Sequence, residues 1–339
     1  MSPAAHPKSY KAFAFTEVGG PLKEVQVEWK DPQPGEIVVK VLACGVCASD
    51  EAVKYQVIPT GLPRIPGHEI VGNVVAVGPG ETVWKVGERV GGGWHGGHCS
   101  ACERCRAGDY ICCEKEDING VLRDGGYAEY ATLRSEAVAK VPEDLDPAEA
   151  APLLCAGITT FNSLRNMTAR PPDYVAVQGI GGLGHLAIQF ARAMGFRVIA
   201  LSSSDAKKEL AHSLGAHIYL DGSKVDQAAE LQKLGGARVI MCTAPNPKVI
   251  QSLVPALAVN GELLLLALCD EITVAPAPMI TKRLSIRGWP SGTARDSEDT
   301  VKFVQAHGIK CMVQKFPLEK AQEAYEHRGS AKFRAVIVP

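Results

Sequence analysis

The apolar positions of this 339-residue chain follow one rhythm up to about residue 155 and another beyond it. In the first stretch the runs are short and strand-like. Ile37-Val38-Val39-Lys40-Val41-Leu42-Ala43 reads as a buried strand entered through the turn Pro32-Gln33-Pro34-Gly35. Ile70-Val71-Gly72-Asn73-Val74-Val75-Ala76-Val77 reads as another, closed by Gly78-Pro79-Gly80. Val86 to Gly91 reads as a turn leading into a short strand. Spaced strands with few helical periods predict a barrel-like β domain from Tyr10 to about Leu153.

In the second stretch strands and helices alternate. Tyr174-Val175-Ala176-Val177-Gln178 is a continuous apolar strand, and Gly179-Ile180-Gly181-Gly182-Leu183-Gly184 follows at once. Leu183, Leu186, Ala187, Phe190, Ala191 and Met194 then recur on one helical face. Further strands are expected at Arg197–Leu201, Arg238–Cys242, Gly261–Ala267 and, as an edge, Leu284–Gly288. That alternation predicts an α/β architecture with a doubly wound parallel sheet. A helix over Asp296–His307 and a final strand over Phe333–Val338 are expected to return to the first domain.

Composition narrows the function classes. A formal net charge of −1 supplies no basic field for nucleic acid or for an anionic membrane surface. The longest strongly apolar run, Leu263 to Cys269, is too short to span a bilayer. The opening Met1-Ser2-Pro3-Ala4-Ala5-His6 lacks the apolar core of a secretory signal, so a cytoplasmic protein is expected. Its 11 cysteines are an odd number and cannot all pair within the chain; in a reducing compartment they read as metal ligands or buried thiols.

The thiols fall into two candidate metal sets. Cys99, Cys102 and Cys105 recur at every third position and can converge on one ion in a tight loop. A fourth sulfur from Cys112 or Cys113 would complete a closed tetrahedron, the mark of a structural zinc. Adjacent side chains in an extended segment point opposite ways, so only one of that pair should ligate. Cys47 and His68 lie about twenty positions apart in turn-like segments, with Cys155 far downstream. Two thiolates and one imidazole suit zinc and leave its fourth position open, the mark of a catalytic zinc. Two zinc ions per chain are therefore expected.

The strand–glycine–helix sequence is the context that makes a dinucleotide site credible. Gly179 permits the tight turn, Gly181 lets the backbone approach a pyrophosphate, and Gly184 lets helix and strand pack closely; Gly182 and Leu183 complete the loop. The next strand ends at Ser202 rather than at an acidic residue. Ser202, Ser203 and Lys207 offer donors and positive charge to a 2′-phosphate, which favours NADP(H) over NAD(H). Asp205, close by, would favour NAD(H) if it turned inward.

Taken in order, Gly45-Val46-Cys47-Ala48-Ser49-Asp50, Gly67-His68-Glu69, the four-cysteine loop, Leu154-Cys155-Ala156-Gly157-Ile158-Thr159 and the glycine turn resemble the zinc-dependent medium-chain alcohol dehydrogenases nearly end to end. The resemblance implies a GroES-like β-rich catalytic domain over residues 1–156 and 290–339, with a Rossmann domain over 157–289. It implies homodimers or homotetramers, Cys113 rather than Cys112 at the structural zinc, and cofactor contacts from Thr159 and Arg334. The stretch Ser202-Ser203-Ser204-Asp205 is similar to the NADP-dependent cinnamyl-alcohol-dehydrogenase-like branch, which acts on primary, often aromatic, alcohols and aldehydes. Trp94 resembles the aromatic wall of the substrate pocket. Glu69, beside His68, is expected to tune the metal. Ser49 stands where the first proton-relay hydroxyl belongs, whereas Ala52 replaces the relay histidine that many members carry. The expected function is hydride transfer between a small alcohol or aldehyde and the nicotinamide. The alternatives are a zinc-containing reductase of activated carbon–carbon double bonds and a non-enzymatic NADPH-binding redox sensor.

Overall fold

The apolar run at 37–43 becomes the central strand of the first sheet because it is covered along both edges. In the computed structural model it spans Glu36–Gly45. Ile70–Val77 pairs antiparallel along one edge, while Tyr130–Arg134 and Arg334–Val338 share the other. The full sheet runs Val313–Pro317, Arg334–Val338, Glu36–Gly45, Ile70–Val77, Arg89–Gly92, Val138–Lys140, with Tyr130–Arg134 attached to the central strand. Two-stranded ribbons stand beside it: Ser9–Phe15 with Leu22–Glu28, and His95–Gly97 with Asp117–Ile118. Phe13, Phe15, Ile37, Val39, Ile70, Val74, Tyr127, Leu133 and Ile337 form one buried cluster. A smaller cluster joins Ala43, Val71, Leu154 and Val336.

The structure describes residues 6–329 and 333–339, so the first five positions of the opening stretch lie outside the described residues. The chain divides into two compact units, one of Met1–Cys155, Gly292–Phe303 and Lys310–Pro339, the other of Ala156–Ser291 and Val304–Ile309. No helix among the described residues is long and apolar enough to cross a membrane.

The second unit holds a six-stranded parallel sheet. Its spatial order is Ile218–Asp221, Arg197–Ser202, Tyr174–Gln178, Ala237–Cys242, Leu257–Leu265, Ser285–Gly288. The strands therefore wind outward in one direction from Tyr174–Gln178 and then in the other. The reversal opens a crevice beyond the carboxyl ends of Tyr174–Gln178 and Ala237–Cys242, the position at which open α/β sheets bind ligands. The helix Gly184–Ala193 buries Ala187, Ile188 and Ala191 against that sheet, while Leu186 and Phe190, also buried, lie outside the cluster so formed. The last strand, Ser285–Gly288, is an edge strand, as its short half-polar sequence suggests.

Candidate active site

Strand register brings Cys47 to His68 across twenty residues of chain. Cys44 pairs with Ile70, and the Gly45 amide donates to the Glu69 carbonyl at 3.0 Å. The residues just past one strand end thus meet those just before the next. Gly45 is required by this closeness: a β-carbon there would lie 1.8 Å from Glu69 Oε2. Cys155 arrives from a separate direction, at the end of the short helix Ala151–Leu154, whose Leu154 packs against Ala43, Val71 and Val336. One donor atom from each of Cys47, His68, Glu69 and Cys155 lies within 4.8 Å of all the others.

The site is largely buried, and its polar atoms are placed to hold a cation. His68 and Glu69 are fully buried, and Cys47 is 5% exposed. His68 Nδ1 lies 3.2 Å from an Asp50 carboxylate oxygen, while Nε2 has no hydrogen-bond partner among the described residues. A buried imidazole nitrogen left unsatisfied costs about 1–3 kcal/mol, and a metal bond removes that cost. The two sulfurs lie 3.7 Å apart. That contact holds the Cys155 thiol well above the usual thiol pKa and the Cys47 thiol well below it, with burial working against the Cys47 thiolate. Burial opposes the charge on His68, but the neighbouring Asp50 carboxylate outweighs it and raises the ring to about 10. A divalent ion would displace these protons, because only thiolates and a neutral imidazole ligate. The donor set therefore fits zinc.

Glu69 is held by Arg334. The guanidinium Nε donates to Oε2 at 3.2 Å, and Nη2 donates to Oε1. Burial lifts the Glu69 carboxyl to about 7 despite that cation. Arg334 opens the strand that pairs with Cys44 and Gly45, so the same backbone ladder delivers it. Trp94 is half-buried and stands edge-on to His68, ring centroids 5.0 Å apart at 85°. Ser49, also half-buried, sits in the turn Ala48–Asp50 that follows Cys47; Ala52, three residues on, has no group that can carry a proton.

The other four cysteines form a lobe whose only interior is sulfur. Between residues 99 and 117 the buried residues are Cys105 and Cys113 alone; Cys112 is exposed. One Sγ from each of Cys99, Cys102, Cys105 and Cys113 lies within 4.8 Å of the others. Backbone amides point at the sulfurs: Cys102 at Cys99 (3.3 Å), Cys105 at Cys102 (3.4 Å), and both Cys99 and Lys115 at Cys113 (3.3 Å each). Amide donors to Cys99, from Ala101 and then Cys102, lower that thiol to about 6. Such donors favour thiolates, the form that binds metal. His95 takes no part in this group and instead meets His98 at 3.1 Å.

In the second unit the glycine turn has the shape a diphosphate needs. A β-carbon on Gly184 would stand 1.9 Å from the Gly179 carbonyl oxygen, so only glycine lets the helix start there. A β-carbon on Gly181 would meet nothing within 4 Å, which leaves that stretch of backbone open to a ligand. Lys207 Nζ donates to the Ile180 carbonyl at 2.7 Å and so lies against the turn. Ser202 ends its strand in register with Asp221, and Ser203 is exposed beside it. Asp205 is drawn to Lys224 at 2.5 Å. Thr159 lies in the helix Ala156–Arg165, which begins this unit.

These geometries agree with what the chain is similar to. Residues 33–143 match the alcohol dehydrogenase GroES-like domain, and residues 182–306 the zinc-binding dehydrogenase domain. Alcohol dehydrogenase patD of Penicillium expansum is 49% identical over 333 residues, covering 98% of each chain. The chain belongs to the zinc-type medium-chain alcohol dehydrogenases. Among solved members, a cinnamyl alcohol dehydrogenase from Sorghum bicolor superposes with a TM-score of 0.87 at 28% identity, covering 98% of each chain. An acetophenone reductase from Geotrichum candidum, solved with NAD, superposes at 0.87 and 26% identity, covering 99% of each.

Two residues of this dehydrogenase's site carried no role in the sequence reading. Asp50 accepts from the Cys47 amide at 3.0 Å while its other oxygen lies 3.2 Å from His68 Nδ1. An acidic residue three positions after a turn residue is the spacing of a carboxylate that folds back on its own backbone, and that signal was present. Lys224 was not legible, because it reaches Asp205 from the far end of the next strand.

Proposed function

We propose that the protein is a zinc-dependent, NADP(H)-preferring alcohol dehydrogenase and aldehyde reductase for small primary, including aromatic, substrates. The observation that carries this is the convergence of Cys47, His68 and Cys155, with the buried His68 ring anchored at Nδ1 beside Asp50 and its Nε2 left without a hydrogen-bond partner among the described residues. Zinc held by those three residues supplies a Lewis acid for the substrate oxygen, and the nicotinamide supplies the hydride acceptor or donor. Arg334 keeps both Glu69 oxygens engaged, so the carboxylate stands back and the fourth metal position is left to substrate. Ser49 is the hydroxyl that takes the alcohol proton in oxidation and returns it in reduction. Ala52, three residues on, has no group that could carry that proton further, so Ser49 would hand it on towards solvent by another route. Trp94 walls the pocket beside His68 and presents a flat apolar surface, which suits an aromatic substrate. Cys99, Cys102, Cys105 and Cys113 hold a second, structural zinc. The catalytic domain is assigned to residues 1–156 and 290–339, and the dinucleotide domain to 157–289.

The test is a panel of aromatic, aliphatic and conjugated aldehydes, each with NADPH and NADH, with product analysis. Carbonyl reduction that is fastest with NADPH supports the reading. Reduction of the carbon–carbon bond of an enal would reassign the protein to double-bond reductases, and no turnover with any substrate would reassign it to a binding role.

Cofactor preference rests on the strand end. Asp205 is neutralised by Lys224, while Ser202, Ser203 and Lys207 line the end of Arg197–Ser202 and the glycine turn. A carboxylate at position 202 would repel a 2′-phosphate and accept from a 2′-hydroxyl. Ser202→Asp is expected to move the NADPH/NADH ratio of kcat/KM at least about tenfold towards NADH, since each 1.4 kcal/mol is a factor of ten. An unmoved ratio would place the 2′-group elsewhere.

A further inference from the structure

Tyr127 is fully buried 59 residues beyond His68, yet it reaches the metal set through one carboxylate. Its hydroxyl donates to Asp50 Oδ2 at 2.7 Å. The same oxygen accepts the Cys47 amide at 3.0 Å, and Oδ1, which has no hydrogen-bond partner among the described residues, lies 3.2 Å from His68 Nδ1. Asp50 therefore touches the backbone of one ligand and the ring of another. A carboxylate turns easily about its last torsion, whose preferences are broad. One donor on Oδ2 leaves that rotation open; two donors from different directions set the plane and so aim Oδ1 at the imidazole.

The ring of Tyr127 also shapes the turn that delivers His68. Gly126 donates to the Gly67 carbonyl at 2.9 Å and Tyr127 to the Pro66 carbonyl at 3.2 Å, so the two segments run together. Gly67 adopts φ +101, and a β-carbon there would lie 2.5 Å from Tyr127 Cδ1. Ring and hydroxyl thus act on His68 separately, the ring by packing under its turn, the hydroxyl through Asp50.

We propose that the Tyr127 hydroxyl is a positioning group for the catalytic metal ligands, acting through Asp50 on His68 and Cys47 together. The proposal rests on the reading of Cys47, His68 and Cys155 as zinc ligands. A buried tyrosine hydroxyl needs an acceptor in any fold, so the test must separate positioning from mere satisfaction. Tyr127→Phe keeps the ring and removes only the hydroxyl. Partners outside the ligand shell typically alter metal affinity 10–100-fold, and a group one step further out is expected at the low end. In Tyr127→Phe, chelator should therefore strip the catalytic zinc about tenfold faster, with the four-cysteine zinc unchanged as an internal reference. The cobalt-substituted protein should show a shifted visible spectrum. In an Asp50→Ala background the same substitution should add nothing, because alanine leaves the Tyr127 hydroxyl no acceptor through which to reach His68.

Unchanged chelation and an unchanged cobalt spectrum would overturn the proposal, as would a full tenfold effect persisting in Asp50→Ala. If Tyr127→Phe does not fold, 3-fluorotyrosine at position 127 keeps ring and hydroxyl and alters only donor strength; an unmoved cobalt spectrum then overturns it. A wild-type protein holding zinc only at the four-cysteine lobe would instead overturn the ligand assignment beneath it.

Discussion

Cys47→Ala is expected to cost the protein one zinc ion per chain and to take turnover down by at least about 10³-fold, while dinucleotide still binds. The two parts of that expectation have separate physical grounds. Cys47 is one of the donors within 4.8 Å in the first unit, and its removal leaves His68 and Cys155 with too few soft ligands to hold an ion. Losing a Lewis acid forfeits several kcal/mol of transition-state stabilisation, at about 1.4 kcal/mol per decade of rate. The dinucleotide turn is built from Gly179 to Gly184 and the end of Arg197–Ser202, all in the second unit. Metal analysis, steady-state rates and fluorescence titration with NADPH check the three claims independently. Retained turnover would remove the metal from the reaction; lost dinucleotide binding would show that alanine at 47 damages more than a ligand.

What was legible in the sequence is what depends on local period and spacing. Tyr174–Gln178 and Ile70–Val77 are continuous apolar runs, and both form strands over the expected residues. The glycine turn could be placed because strand, turn and helix are contiguous. The ribbon strand Leu22–Glu28 could not be, since only Leu22 is fully buried, Val25 and Val27 are half-buried, and charged or amide side chains stand between them. Nor could Val313–Pro317, where Phe316 alone is buried and the strand forms only by parallel pairing with Arg334–Val338. The expectation of a strand-rich first domain agrees with the GroES-like match, but the order of strands in its seven-stranded sheet and the two ribbons beside it had no local signal. At the site, residue type and spacing suggested which side chains can ligate. The distances between them come from backbone pairing that no local pattern encodes: Gly45 against Glu69, Val46 against Ala335, Gly126 against Gly67. Tyr127 is the extreme case, because its ring reads as ordinary core and only its long-range contact with Asp50 gives its hydroxyl a role.

Cys102→Ala should act on stability far more than on chemistry. The segment from 99 to 117 has one short helix, Glu103–Arg106, one helical turn, Tyr110–Cys112, and no apolar interior beyond two sulfurs. It cannot bury enough surface to offset the entropy of ordering its backbone, which runs at roughly 1–2 kcal/mol per residue. Four metal–sulfur bonds, on the proposed assignment, would make up that deficit, and a closed ligand set would leave no position for substrate. Cys102 is also the residue on which the geometry turns: its amide donates to Cys99, its sulfur accepts from Cys105 and lies 4.0 Å from Cys113. Alanine there removes a ligand and leaves the neighbouring amide without its acceptor. A loss of about 4 kcal/mol or more falls in the range reserved for broken metal sites, and it lowers the unfolding midpoint by roughly 10 °C for a unit of this size. Protein that remains folded should keep its kcat within about threefold, because the donors around His68 do not include this lobe, and an effect below 1 kcal/mol on the barrier is under tenfold. Calorimetry and limited proteolysis between Ser100 and Lys115 are the measurements. A midpoint that holds steady after the lobe has been stripped of metal would mean that the sulfurs are not what orders it.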